Sequence, residues 1–143
     1  MASKAKFGTL VAGLALALGL GVTPAHAADY RYHGDCSTEG ASGSIATSGW
    51  QRGVGQRTVP SIKLKVYDWV EDGHHVSIRV VAYYADGSKG YYPWHSDYDG
   101  YGTSKEFDTS ATAGGVSGIW DLGIEVARFE GSHLLNYCSA GVS

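Results

Sequence analysis

Two stretches of alternating sequence decide the fold: "SIKLKVYDWV" at residues 61–70 and "VSIRVVAYY" at residues 76–84. In each stretch, apolar residues recur at every second position, which is the pattern of a β-strand with one buried face. From residue 60 onward, no segment shows the sustained i, i+3, i+4 apolar spacing of an amphipathic helix. The sequence therefore predicts an all-β protein.

The alternation also predicts which side chains face the core and how the two strands pair. The residues expected on the inner face are Ile62, Leu64, Val66 and Val70 in the first stretch and Val76, Ile78, Val80 and Ala82 in the second. A two-residue turn between the stretches would place lysines on the apolar face, because a shift of one residue reverses every side chain. We therefore predict a hairpin with a three-residue loop or a bulge at Gly73, which pairs Val66 with Val80.

Further strands follow at regular intervals along the chain. A turn at 85–88 leads into "KGYYPWH", and a turn at Gly131-Ser132 joins "GIWDLGIEVARF" to "HLLNYCSAGV". Trp120, Leu122, Ile124 and Val126 are expected to face inward, with Leu135 beside Arg128 and Tyr137 beside Val126. With weaker strands at 44–47 and 105–112, the chain has about seven strands. We predict a single-domain antiparallel β-sandwich, with a small β-barrel as the alternative.

The first 27 residues have the pattern of a secretory signal peptide. Lys4 and Lys6 precede an apolar run at 10–22, and the small residues of Ala25-His26-Ala27 follow it. The apolar run is about 13 residues long, whereas a membrane-spanning helix needs roughly 20. We therefore expect a secreted protein without membrane insertion, whose mature chain begins at residue 28.

The two cysteines, Cys36 and Cys138, are expected to form one disulfide, because an exported protein encounters oxidising conditions. The bond would tie down residues 28–59, whose Gly-, Ser- and Thr-rich sequence after Cys36 predicts mostly loop. Residues 60–143 would then form the body of the sandwich.

Composition and motifs exclude several classes of function. Loss of Lys4 and Lys6 with the signal peptide takes the formal net charge from −3 to −5, so nucleic acid is not an expected partner. No GxSxG or comparable nucleophile motif is present, and no cofactor is predicted. Asp121 and Glu125 share one strand face and are the best carboxylate pair, but two acids on a solvated face explain them as well. We expect a protein that is not an enzyme.

The stretch "YYPWHSDYDGYG" at residues 91–102 is the main candidate site. Pro93 lacks a backbone donor, which predicts an edge strand followed by a loop. The candidate binding residues here are Tyr91, Trp94, Tyr98 and Tyr101. Such aromatics suit a protein partner, or alternatively a carbohydrate or cell-wall ligand. Asp97 and Asp99 resemble the opening of a calcium loop but lack the rest of its pattern, so no metal site is predicted.

A second candidate lies in the Gly-rich segment, where Trp50 and Arg52 stand two residues apart. Trp and Arg are both frequent hot-spot residues at protein interfaces, so we expect this pair to contact a protein partner.

The whole chain resembles small secreted proteins of actinobacteria in its length, its signal peptide, its one expected disulfide and its Gly-, Tyr- and Trp-rich β domain. Within that group it is similar to the adaptor subunit that joins lectin and stalk in the umbrella toxin particles of Streptomyces, and to proteinaceous inhibitors of secreted hydrolases. The resemblance implies a protein that works by binding another secreted protein.

Overall fold

The computed structural model describes residues 29–115 and 117–143. Among these residues there are nine β-strands, joined by loops and turns, and no helix. The predicted signal peptide at 1–27 lies outside the described residues. Within the described part of the chain, no helix has the length and apolar character needed to cross a membrane. The strands are β1 (Tyr32–Thr38), β2 (Ala41–Ser48), β3 (Thr58–Asp68), β4 (His75–Tyr84), β5 (Lys89–Tyr91), β6 (His95–Asp97), β7 (Ser104–Thr112), β8 (Ile119–Glu130) and β9 (His133–Gly141).

The strands form two antiparallel sheets, which pack face to face as a sandwich. The first sheet has the order β1-β2-β3-β7, and the second has the order β5-β4-β8-β9, with β6 also paired to β4. The predicted all-β sandwich is confirmed, and the barrel alternative is wrong because the sheets do not close on each other. The extra strands arise from β1 and from the division of "KGYYPWH" into β5 and β6.

The predicted pairing of the first two stretches is wrong, although their predicted inner faces are largely correct. β3 lies between β2 and β7 in the first sheet, whereas β4 pairs with β5, β6 and β8 in the second. The connection at residues 69–74 therefore crosses from one sheet to the other. Val66 and Val80 both point into the core, but from opposite sheets, instead of lying side by side in one sheet.

The alternating apolar side chains meet between the two sheets and form the core. On β3 and β4, every predicted inner residue except Val70, which lies beyond the end of β3, is buried. Fully buried core residues include Ile45, Ile62, Leu64, Val66, Val76, Ile78, Val80, Leu122, Ile124 and Val126. Removal of this apolar surface from water is the main term that favours the two-layer arrangement.

Trp120 is the exception on β8, where it was expected to face inward. The register between β4 and β8 shifts after the pair Tyr83↔Asp121, so that Tyr84 pairs with Ile119 and Trp120 is the extra residue of a bulge. Ile119 is fully buried in the core, and Trp120 is half-exposed. A bulge adds one residue to one strand and reverses the faces beyond it, which explains the wrong prediction.

The hairpin between β8 and β9 has its predicted two-residue turn, because Glu130 pairs with His133. The register beyond the turn differs from the prediction. A shift between Arg128 and Phe129 places Asn136 opposite Arg128 and Cys138 opposite Val126. Leu135 and Tyr137 are therefore not in their expected pairs, and the exposed Tyr137 ring belongs to the outer face of the second sheet.

The N-terminal segment was expected to be mostly loop, but its first half forms β1 and β2 of the first sheet. Gly43 of β2 lies where the two sheets approach closely. A Cβ at Gly43 would lie 2.7 Å from Val126 Cγ2 and 2.9 Å from Ile78 Cδ1, which are contacts too short for a side chain to occupy. The lack of a side chain at Gly43 is therefore a packing requirement. The loop begins only after Ser48.

The predicted disulfide between Cys36 and Cys138 is confirmed. It joins β1 to β9, which are edge strands of different sheets. Next to it, His33 N donates to Ser143 O at 3.2 Å, and Ser143 N donates to His33 O at 2.9 Å. The bond thus fastens the two layers of the sandwich along one side.

Removal of this disulfide should destabilise the sandwich without changing its topology. The cysteines are 102 residues apart, and closing a loop of that length in the unfolded chain is worth about 4 to 5 kcal/mol in the chain-entropy model. We expect the double variant Cys36→Ala/Cys138→Ala to lose about that much free energy of unfolding in urea titrations, with the wild-type protein treated with reductant as the control. A loss below about 1 kcal/mol would contradict this account.

Candidate functional site

The outer face of the second sheet carries an ion pair across neighbouring strands. The register of β4 and β8 places Arg79 opposite Glu125. Arg79 Nε and Nη2 both donate to Glu125 Oε2, at 2.8 and 2.6 Å. The two side chains are 24% and 14% exposed, so the pair is shielded from solvent on most sides. Charge-assisted hydrogen bonds of this kind are short and hold both groups in one orientation.

Two aromatic rings complete the surroundings of the Arg79 guanidinium. Its Cζ lies 4.5 Å from the ring centroid of Tyr91 and 4.4 Å from that of Trp94. Tyr91 ends β5, and Trp94 lies in the short segment between β5 and β6 that contains Pro93. The predicted edge strand thus supplies both rings. Cation–π attraction to each ring adds to the ion pair and fixes the guanidinium further.

The aromatic contacts continue across the sheet. The Trp94 ring meets Phe129 edge-on with centroids 5.4 Å apart, Phe129 stacks on His75 at 5.5 Å, and His75 lies 4.4 Å from the ring of Tyr98. We call Tyr91, Trp94, Phe129, His75 and Tyr98 the aromatic band. Its two ends are the most exposed, at 54% for Tyr91 and 72% for Tyr98.

A shallow depression of about 290 Å³ lies beside the ion pair. Its rim includes Leu134 and Tyr137 from β9, which are 42% and 56% exposed. The complete lining is Arg79, Tyr91, Trp94, Glu125, Leu134 and Tyr137. The depression therefore has a charged and rigid floor with an apolar and aromatic rim.

The aromatic band surrounds His75 and favours the neutral form of its imidazole. Burial lowers the pKa of its imidazole, and the nearby charge of His74 lowers it further. His74 itself lies 3.1 Å, through Nδ1, from Asp72 Oδ1. Stacking of His75 between Phe129 and Tyr98 leaves a protonated imidazole poorly solvated, which is the physical reason for the shift.

The loop after β6 uses its acidic residues internally. Asp97 is buried and accepts hydrogen bonds from Asp99 N at 3.0 Å and from Thr103 Oγ1 at 3.1 Å. Asp99 reaches Lys105 Nζ at 3.4 Å. In the part of the chain that the structure describes, no three His, Cys, Asp or Glu residues are grouped so as to hold a metal ion. The "SDYDG" segment is thus a turn stabilised by its own carboxylates.

The four residues predicted at 91–102 are not all in one place. Tyr91, Trp94 and Tyr98 belong to the aromatic band, with Trp94 half-buried. Tyr101 is 60% exposed in the loop between β6 and β7 and stacks on no other aromatic ring of the described residues. Trp69, which the sequence did not single out, is exposed in the neighbouring connection between β3 and β4.

The prediction that Trp50 contacts a partner is wrong, because its side chain is only 5% exposed. Its ring packs edge-on against Tyr32 with centroids 5.2 Å apart, and Nε1 donates to Ile119 O at 3.5 Å. Arg52 remains at the surface, where Nη2 donates to Asp121 Oδ2 at 2.7 Å. This pair lies at the end of the sandwich opposite Tyr98, since the loop between β2 and β3 is at that end.

The sequence did not identify several residues of this face as binding residues. Arg79 and Glu125 both occupy outward positions, but only the β4–β8 register shows that they pair. Phe129, Leu134 and Tyr137 were treated as ordinary strand residues. One feature of the sequence could have indicated them: β4, β8 and β9 carry many large residues at outward positions. A sheet face that only contacts solvent does not require such residues.

Comparison with models of known families, with curated proteins and with solved structures finds no match to this chain.

The lowered pKa of His75 makes the stability of the folded protein depend on pH. Because the folded protein binds this proton less readily than the unfolded chain, whose histidine pKa is 6.5, the free energy of unfolding should fall as pH decreases through 6.5. The variant His75→Phe keeps a stacked ring but cannot be protonated. We expect its stability, from urea titrations between pH 7.5 and 5.5, to decline less than that of the wild type; parallel declines would contradict the assignment.

Proposed function

We propose that this chain is a secreted, non-enzymatic binding protein that holds another protein on the outer face of its second sheet. The observation that carries the proposal is the Arg79 guanidinium, fixed between Tyr91 and Trp94 and hydrogen-bonded to Glu125 beside a depression with an apolar rim. Tyr, Trp and Arg are the residues most often found at protein-interface hot spots. Holding them rigid in advance lowers the entropy lost on binding.

The rim of the depression favours a protein over other ligands. Leu134 and Tyr137, both about half-exposed, line the depression from β9. A volume of about 290 Å³ accommodates one large apolar or aromatic side chain from a partner. An exposed aliphatic residue beside aromatic rings is suited to such an anchor, since it contributes by burial rather than by hydrogen bonding.

The environment of the acidic residues supports a role without catalysis. Asp121 and Glu125 do lie on one face of β8, as expected, but each is bound to an arginine. Both carboxylates are thereby oriented toward their own arginine partners. Two roles consistent with such a protein are an adaptor in a secreted complex, such as an antibacterial toxin, and an inhibitor of a secreted hydrolase. The disulfide suits an oxidising extracellular setting.

A carbohydrate ligand is the second candidate, and one observation favours it. Among the hydrogen bonds of the described residues, none involves Glu125 Oε1 or Arg79 Nη1, so the floor offers an acceptor beside a donor. Adjacent hydroxyl groups of a sugar could use both, with Tyr91 or Tyr137 stacked on the ring. The Trp94 ring is less available for such stacking, because Arg79 covers one face and Phe129 contacts it.

The proposal predicts a stoichiometric protein partner whose capture depends on the depression. The immobilised mature protein is incubated with culture supernatant of the producing organism, and the affinity of the recovered partner is then measured with purified components. We expect Tyr91→Ala/Tyr137→Ala to weaken binding by about 30-fold or more, because hot-spot truncations typically cost at least 2 kcal/mol.

The matched control is Tyr67→Ala, which removes an exposed tyrosine from the outer face of the first sheet. It should bind the partner as the wild type does. Equal losses for both variants, or no captured protein, would overturn the proposal. Binding on a glycan array that the double variant abolishes would establish the second candidate in its place.

A further inference from the structure

The charges of this protein are distributed unevenly along the sandwich. The connections β1–β2, β3–β4, β6–β7 and β8–β9 all lie at the same end, which we call the tip. The tip and the first residues beside it carry seven acidic residues, Glu39, Asp68, Glu71, Asp72, Asp97, Asp99 and Glu130, and two basic ones, Lys105 and Arg128. The opposite end carries three acidic residues, Asp29, Asp86 and Asp121, and four basic ones, Arg31, Arg52, Arg57 and Lys89.

The negative charge at the tip is not neutralised within the described residues. Asp68 and Asp97 are buried, and the other five acidic residues lie at the surface. Both basic residues are already engaged, since Arg128 Nη1 lies 3.1 Å from Asp72 Oδ2 and Lys105 Nζ lies 3.4 Å from Asp99 Oδ2. Glu71 and Glu130 have no ion-pair partner in the described part of the chain.

Exposed aromatic rings lie among these carboxylates. Tyr98, one end of the aromatic band, has one ring face against His75 and is 72% exposed. Asp99 follows it directly, and Glu130 follows Phe129 of the same band. Tyr101 and Trp69 are exposed in the adjoining connections. Aromatic faces attract ammonium and guanidinium groups, and so do carboxylates, so the two features select the same kind of partner group.

We propose that the partner protein presents a segment rich in lysine and arginine to the tip. The inference rests on the proposed function, because the tip is continuous with the proposed interface through the aromatic band. An acidic partner surface would be repelled here, whereas a basic one would be oriented before contact by the charge difference between the two ends. The partner's apolar anchor would then enter the depression beside Arg79.

The test uses the purified mature protein and three synthetic peptides of equal length. The first has six Lys and Arg residues among small and apolar ones, the second has Gln at those six positions, and the third has Glu. In NMR titrations, we expect the basic peptide alone to shift the signals of Tyr98, Asp99 and Glu130. Its affinity should fall about 10-fold between 50 and 300 mM NaCl, because ions screen exposed charges.

Two charge variants with equal changes in net charge separate a local effect from a global one. Glu71→Gln/Asp99→Asn/Glu130→Gln should weaken binding of the basic peptide about 10-fold or more. The control Asp35→Asn/Glu106→Gln/Asp108→Asn removes three exposed carboxylates from the first sheet and should have little effect. Equal losses in the two variants, equal binding of the uncharged peptide, or no binding of the basic peptide would each overturn the inference.

The same variants distinguish this inference from the proposed function. If the supernatant partner is captured through Tyr91 and Tyr137 but the tip variant binds it with unchanged affinity, the protein-binding function stands and the basic partner segment is wrong. If no protein partner is captured, the proposed function fails whatever the peptides show.

Discussion

The structure depends on burial of one face of β3, β4 and β8 between two sheets. The apolar face of each of these strands is removed from water when the two sheets pack together. The same requirement for burial accounts for the local irregularities of the strands. The bulge at Trp120 lets Ile119 enter the core, and Gly43 permits the layers to approach. β4 is also covered on its outer side, where Ser77 and Val81 are buried, so the aromatic band rests on a rigid strand.

The sequence predicted the buried faces well but not the partners of the strands. A hairpin and a connection between two layers bury the same side chains of β3 and β4, because alternation records which face is apolar and not which strand lies alongside. The turn at 69–74 offered no means of choosing between them. The shifts at Trp120 and after Arg128 were equally hidden, since one added residue in a bulge leaves the local composition unchanged.

The sequence predicted those residues of the candidate site that are close together in the chain. It did not predict the residues that only the pairing of distant strands brings together. Tyr91, Trp94 and Tyr98 were identified because they belong to an aromatic edge region that Pro93 interrupts, and Pro93 lies in the segment between β5 and β6. The pair of Arg79 and Glu125 joins residues 46 positions apart, which no local pattern reveals. Trp50 was misassigned for the same reason: its neighbours in a glycine-rich loop suggest exposure, whereas Tyr32 and Ile119 enclose it.

The edge of the second sheet formed by β5 and β6 is poorly suited to pairing with a strand from another protein. β5 and β6 are each three residues long, and Pro93 between them cannot donate a backbone hydrogen bond. A partner strand adding to this edge would find an interrupted ladder, because short edge strands and proline are the usual protection against such pairing. The proposed partner would therefore contact side chains on the sheet face instead of the strand edge. The rings of Tyr91 and Trp94 hold the Arg79 guanidinium on that face. The large aromatic residues of this edge therefore contribute through their side chains, whereas its strands are short.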